Sequence, residues 1–183
     1  FQSMLTRDRI DIFMVGEFDD YQVLQALHRF PLEGRQVDLQ FSYSQPYVNV
    51  VKEKIEPRQS SQSILQLGYQ FPCQYGDKDY FALIVFNAMF GEFAHSVLFT
   101  TLREKEGLAY SISSQFDIFT GLLGVYAGIE KSNRNQAMRG ISRELNYIKL
   151  GRFSSSLLNQ TKKIIRMNAL LSEDHALTLV EQR

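Results

Sequence analysis

The sequence of 183 residues contains one cysteine, Cys73. No intrachain disulfide can form, and no multi-cysteine zinc site can be built. Surplus charge is missing too. Twenty basic and 20 acidic residues give a formal net charge of zero, which excludes the concentrated positive field of a general nucleic-acid or anionic-membrane binder. The longest apolar stretch, Tyr80 to Phe90, is interrupted by Asn87 and falls well short of the ~20 residues that cross a bilayer. Histidine is scarce: His28, His95 and His175 lie on separate predicted segments. The inverted zinc motif His-x-x-Glu-His, which would supply two ligands and a base from one helix, is absent. No Gly-x-Gly-x-x-Gly follows a strand, no phosphate loop ends in Gly-Lys-Ser/Thr, and no Gly-x-Ser-x-Gly elbow occurs. Cys73 has no flanking signature of a nucleophile and reads as a small packed residue. Glu173-Asp174-His175 reads as a solvated helix start, because adjacent helical residues point in different directions.

Hydrophobic residues at 44% and charged residues at 22% supply an ordinary globular core. No signal peptide opens the sequence. Phe1-Gln2-Ser3-Met4 reads as the remnant of a cleavable expression tag, set apart from a single domain over 5–183 that ends abruptly in its C-terminal helices. A cytoplasmic location is the default expectation.

The run Ile10 to Phe18 reads as a strand, and Asp19-Asp20 caps a helix carrying Val23, Leu24 and Leu27. Alternation then predicts strands over Val37 to Tyr43, Tyr47 to Ile55 and Ser63 to Phe71. Asp77 to Lys105 reads as two helices, the first apolar enough to be buried on most sides, with the break at Gly91 and the stop at Gly107. A hairpin follows, Leu108 to Phe116 and Ile118 to Ile129 around Asp117 to Thr120, thinned by Gly121, Gly124 and Gly128. Amphipathic helices over Asn133 to Leu150 and Phe153 to Leu171 come next. Such segregated runs predict an α+β domain, an antiparallel sheet with helices packed on one face.

One stretch goes further. Asn87 to Ser114 contains Leu-Arg-Glu-Lys-Glu-Gly-Leu-Ala-Tyr at 102–110, where a helix should turn into a strand. It resembles the corner of the C-terminal, zinc-less domain of pitrilysin or insulinase-type zinc metallopeptidases, the group that includes mitochondrial processing peptidase. The resemblance implies one half of a clamshell repeat. Its partner would be a homologous zinc-bearing domain or subunit, in a homo- or heterodimer or within one longer chain, and an extended peptide would be the substrate. Arg103 and Tyr110 match the family's arginine and tyrosine that contact that peptide. The guanidinium would offer forked donors to peptide carbonyls, and the hydroxyl would help stabilise the oxyanion. The resemblance assigns no zinc and no catalytic residue to this chain, which would be inactive alone. The alternative within the same fold is an inactive structural or assembly subunit. From the residues alone, a ligand-binding α+β domain using the glycine-thinned hairpin stays open.

Overall fold

The computed structural model describes residues 7–30 and 43–173. Residues 43–165 form one compact unit, while residues 7–30 and the end of the last helix, from Arg166, belong to another.

In residues 43–165, three strands make an antiparallel sheet in the order β1-β3-β2: β1 (Ser63–Gln70), β2 (Ser111–Asp117) and β3 (Leu122–Ile129). Their two-residue period assigns the faces. The register sets Leu65 and Ile112 on either side of Ala127, and these three join Leu123, Val125 and Ile129 on the buried face. Ile64, Ser113, Gln115 and Tyr126 point the other way and are exposed. The β2–β3 loop is built by Asp117, whose carboxylate accepts from the Phe119 and Thr120 N–H groups. It closes with Gly121 at φ +67°, a left-handed conformation suited to glycine. Gln45 braces it from outside, donating to the carbonyls of Cys73 (2.6 Å) and Ile118 (2.9 Å).

Helices of the same unit cover the buried face. In chain order the helices are α1 (Asp20–Leu27), which belongs to the other unit, α2 (Tyr80–Asn87), two π-helical segments (Ala88–Glu92 and Phe99–Lys105), α3 (Arg134–Lys149) and α4 (Ser155–Glu173), whose end from Arg166 also belongs to the other unit. Asp19 caps α1 as its sequence predicts, accepting from the Tyr21 and Gln22 N–H groups. Phe90 and Leu102 of the π-helical segments, Leu98 just ahead of the second, and Ala137 and Ile141 of α3 close the core over the strands. The architecture is therefore α+β, with the sheet backed by helices.

Three expectations need correction. Ile10 to Phe18 and Tyr47 to Ile55 are not strands. Each has the composition, but neither finds a ladder partner among the described residues; Val51 is 96% exposed and Tyr47 86%. Of the predicted strand Val37 to Tyr43, all but Tyr43 lies outside the described residues, as do His175, Phe1 to Met4 and the chain beyond Glu173. Second, α2 is less covered than its composition suggests. Phe81 stands in solvent, and Asn87 is the one residue of α2 that is fully buried. Third, Gly91 does not break the helical run. It lies inside the first π-helical segment, and the break comes at Phe93, which turns extended (φ −101°, ψ 159°).

His95, in that break, is half-buried, and its Nε2 meets the Thr161 hydroxyl at 2.9 Å. Thr161 is buried within α4. Burial pushes the imidazole pKa down, so the folded state disfavours protonation. The stability from neutral His95 is complete above the ordinary histidine range. It is lost as pH falls through the unfolded-state pKa towards the lower folded one. The urea midpoint of the full-length protein should therefore drop between about pH 7.5 and about pH 5.5. His95→Gln, which keeps a polar partner for Thr161, should shrink that drop. An identical pH dependence in the variant would remove His95 from the cause.

Candidate functional site: the helix-to-strand corner

Between Phe99 and Ser111 the chain leaves a helix, turns and enters the sheet. The second π-helical segment is wound with a bond five residues long, Glu106 N–H to Thr101 C=O at 2.9 Å. Such segments are rare and recur at functional sites. Gly107 follows at φ +62°, and the Leu108 N–H then reaches back to the Leu102 carbonyl at 2.8 Å. The left-handed glycine lets the reversed chain satisfy a terminal carbonyl of the helix. Leu102 itself is fully buried and packs against Gly140 of α3; a Cβ on that glycine would lie 3.2 Å from Leu102 Cδ2. A second tie comes from α3: Arg143 donates to Glu106 at 2.5 Å and to the buried Glu144 at 2.8 Å.

At the strand end of the corner, the register opposes Ser111 to Gly128, and the Tyr110 N–H, one residue ahead of the ladder, donates to the Gly128 carbonyl at 2.8 Å. That bond holds the backbone of Tyr110 against the end of β3.

Upstream, the helical run is pressed against β2. A Cβ on Gly91 would come within 2.6 Å of Ser114 Oγ and 2.8 Å of its backbone N, so only glycine allows this approach. Asn87 completes the contact. Its carbonyl Oδ1 accepts from the Ser114 hydroxyl at 2.8 Å, and its amide donates to Glu92 at 2.8 Å. Asn87, Glu92, Ser113, Ser114, Gln115 and Phe116 line an open groove of about 410 Å³. Of these, Asn87, Glu92 and Ser114 are spent on one another, so their chemistry is that of a helix-to-strand seam.

The two residues singled out by the sequence sit at the ends of this corner. Arg103 is in the π-helical segment, its guanidinium 4.4 Å from the centroid of the Phe99 ring and 3.7 Å from the Glu104 carboxylate. Stacking on Phe99 one turn earlier fixes the fork while leaving donors free to solvent. Tyr110 is 50% exposed, and its hydroxyl donates to Glu130 Oε1 at 2.8 Å. The Glu130 hydrogen bond, first among the causes, pushes the phenol pKa up, so Tyr110 keeps its proton beyond the usual tyrosine range. Both side chains are outward-facing on a braced frame, and they share no partner.

Sequence reasoning missed Glu130 and the Arg143 tie. The hairpin pattern held a signal for the first: a strand starting at Ser111 and pairing with the end of β3 brings Tyr110 beside Glu130. No local pattern joins Glu106 to Arg143, 37 residues apart.

Among the described residues no three His, Cys, Asp or Glu side chains group to hold a metal, His28 ends α1, and His95 spends Nε2 on Thr161. Burial, then Asp77 and Asp79, push the Cys73 thiol pKa up, away from the thiolate form that reacts.

The chain is 38% identical over 182 residues to "Probable inactive metalloprotease YmfF" of Bacillus subtilis, covering 99% of this chain and 43% of that protein. It is 26% identical over 172 residues to "Uncharacterized zinc protease YmxG" of the same organism, covering 91% and 41%. The crystal structure of a conserved protein from Enterococcus faecalis superposes with a TM-score of 0.88 at 40% identity, over 99% of this chain and 43% of that one. The chain thus spans less than half the length of the relatives it matches. Residues 1–165 match the family described as the peptidase M16 inactive domain, and the chain belongs to that family.

Proposed function

We propose that this chain is the substrate-binding, non-zinc half of a pitrilysin-type metallopeptidase, holding an extended peptide for a site whose zinc lies on a homologous domain or subunit. The observation that carries the reading is the corner. Arg103 and Tyr110, the positions the family resemblance points to, are both solvent-facing on a turn fixed by Leu102, Gly107 and Arg143. A rigid frame under two exposed polar side chains is what peptide positioning requires, since a displaced contact forfeits much of its effect. Arg103 supplies parallel N–H donors to backbone carbonyls. Tyr110 supplies one hydroxyl, directed at the oxygen where negative charge gathers.

The test uses the full-length protein with its homologous partner and an internally quenched peptide library. Arg103→Ala should weaken peptide binding about tenfold, the worth of a charged hydrogen bond. Tyr110→Phe should lower kcat/KM about a hundredfold, the order seen when one oxyanion donor is removed. Unchanged binding and unchanged cleavage in both variants would sink the reading.

A second reading is an inactive structural or assembly subunit of the same fold. The B. subtilis relative at 38% identity favours it, since that protein is called a probable inactive metalloprotease. A folded full-length protein with no peptide binding in any pairing would decide for it.

A further inference from the structure

Tyr110 has one hydroxyl proton, and in this structure it is already committed. It donates to Glu130 at 2.8 Å, and both residues are anchored at the end of one ladder. The Tyr110 N–H is held by the Gly128 carbonyl, and Glu130 follows directly on β3. A bound peptide therefore does not meet a free donor; it has to take one from a carboxylate.

We propose that Glu130 is a positioning residue that gives Tyr110 its selectivity. It keeps the hydroxyl's hydrogen bond while an uncharged peptide carbonyl is bound, and it yields that bond when negative charge develops on the carbonyl oxygen. The inference rests on the peptide-holding reading above and adds a named residue to it.

The order of acceptor strengths carries the proposal. Hydrogen bonds to ionised acceptors are roughly twice as strong as those between neutral groups. A neutral amide oxygen competes poorly with the Glu130 carboxylate, whereas an anionic oxygen competes well. An interaction made in the transition state and withheld in the ground state accelerates a reaction, while one made equally in both only tightens binding. Glu130 thus converts a general hydrogen-bond donor into one reserved for the charged species. Release costs Glu130 little, because it is exposed and its other oxygen lies 3.4 Å from the Ser132 hydroxyl; water takes the vacated place. No covalent bond changes at Tyr110. The proton stays on the phenol oxygen throughout, and only its hydrogen-bond acceptor changes.

The experiment measures equilibrium binding of a fluorescently labelled pool of extended peptides to the full-length protein with its partner, in zinc-free buffer where nothing is cut. Glu130→Gln puts a weaker, neutral acceptor beside Tyr110. It should tighten binding about fivefold, the difference between a charged and a neutral hydrogen bond. In the double variant with Tyr110→Phe the gain should vanish. With zinc restored, the Glu130→Gln protein should show a lower KM and no rise in kcat, and a purely structural defect does not produce that split. Unchanged or weaker binding in Glu130→Gln overturns the proposal. So does a gain that persists without the Tyr110 hydroxyl, since Glu130 would then act by its charge alone. Arg103→Ala, measured alongside, separates the two readings. Loss of binding there with no gain in Glu130→Gln keeps the peptide-holding role and removes Glu130 from it. No binding by the wild-type protein removes both.

Discussion

Replacing Gly91 by alanine should lower the stability of the full-length protein by about 3 kcal/mol, at the upper end of what overpacking a core costs. The added Cβ would lie 2.6 Å from Ser114 Oγ, 2.8 Å from Ser114 Cβ and 2.8 Å from its backbone N. A flexible side-chain tip can move aside, but a strand backbone held in register against Val125 cannot. Any separation of helix from strand also stretches the Ser114–Asn87 hydrogen bond, whose two members are buried and would be left unpaired at further cost. Urea unfolding checks this: the midpoint should fall with the slope unchanged, the sign of lost stability without a change in the surface exposed. A midpoint within error of the wild type would mean that the seam opens freely, contrary to the close approach described here.

Leu102→Ala is the second large effect, about 3 to 4 kcal/mol, as expected for emptying a fully buried leucine site. Leu102 has no exposed surface and is packed against α3 at Gly140, where no side chain is available to fill the space. Its carbonyl also receives the Leu108 N–H that closes the corner. Hydrogen exchange at Leu108 should therefore quicken in the variant beyond the change at Val125, in the middle of the sheet. A loss below about 1 kcal/mol would show that the surroundings collapse onto the cavity and that the corner does not depend on this side chain.

Much of this architecture was legible from residue order. The alternation in Ser63 to Phe71 and across the hairpin yielded β1, β2 and β3 because those strands are half-buried, and burial of one face writes a period of two. Asp19 and Gly107 announced helix ends because each does a job that few residues do well. Two further segments with the same composition, Ile10 to Phe18 and Tyr47 to Ile55, did not become strands, since a strand exists only with a neighbour to bond. Gly91 misled for a related reason. Glycine marks either a chain that turns or a chain that is approached closely, and the residue that distinguishes the two, Ser114, is 23 positions away in sequence. At the candidate site, Arg103 and Tyr110 came from resemblance, and composition alone would have passed them over. Glu130 is the instructive omission, because only the pairing register reveals which acidic group a tyrosine meets.

The two backbone ties of the corner bear on which changes of length the chain can absorb. The Leu108 N–H is tied to the Leu102 carbonyl and the Tyr110 N–H to the Gly128 carbonyl, so Ala109 alone stands between two anchored residues. Deleting it would force one of those bonds open and would take a buried side chain out of the core. An added residue would loop out between the two ties and leave the hairpin register from Ser111 onward as it is. The corner is therefore intolerant of shortening and tolerant of lengthening.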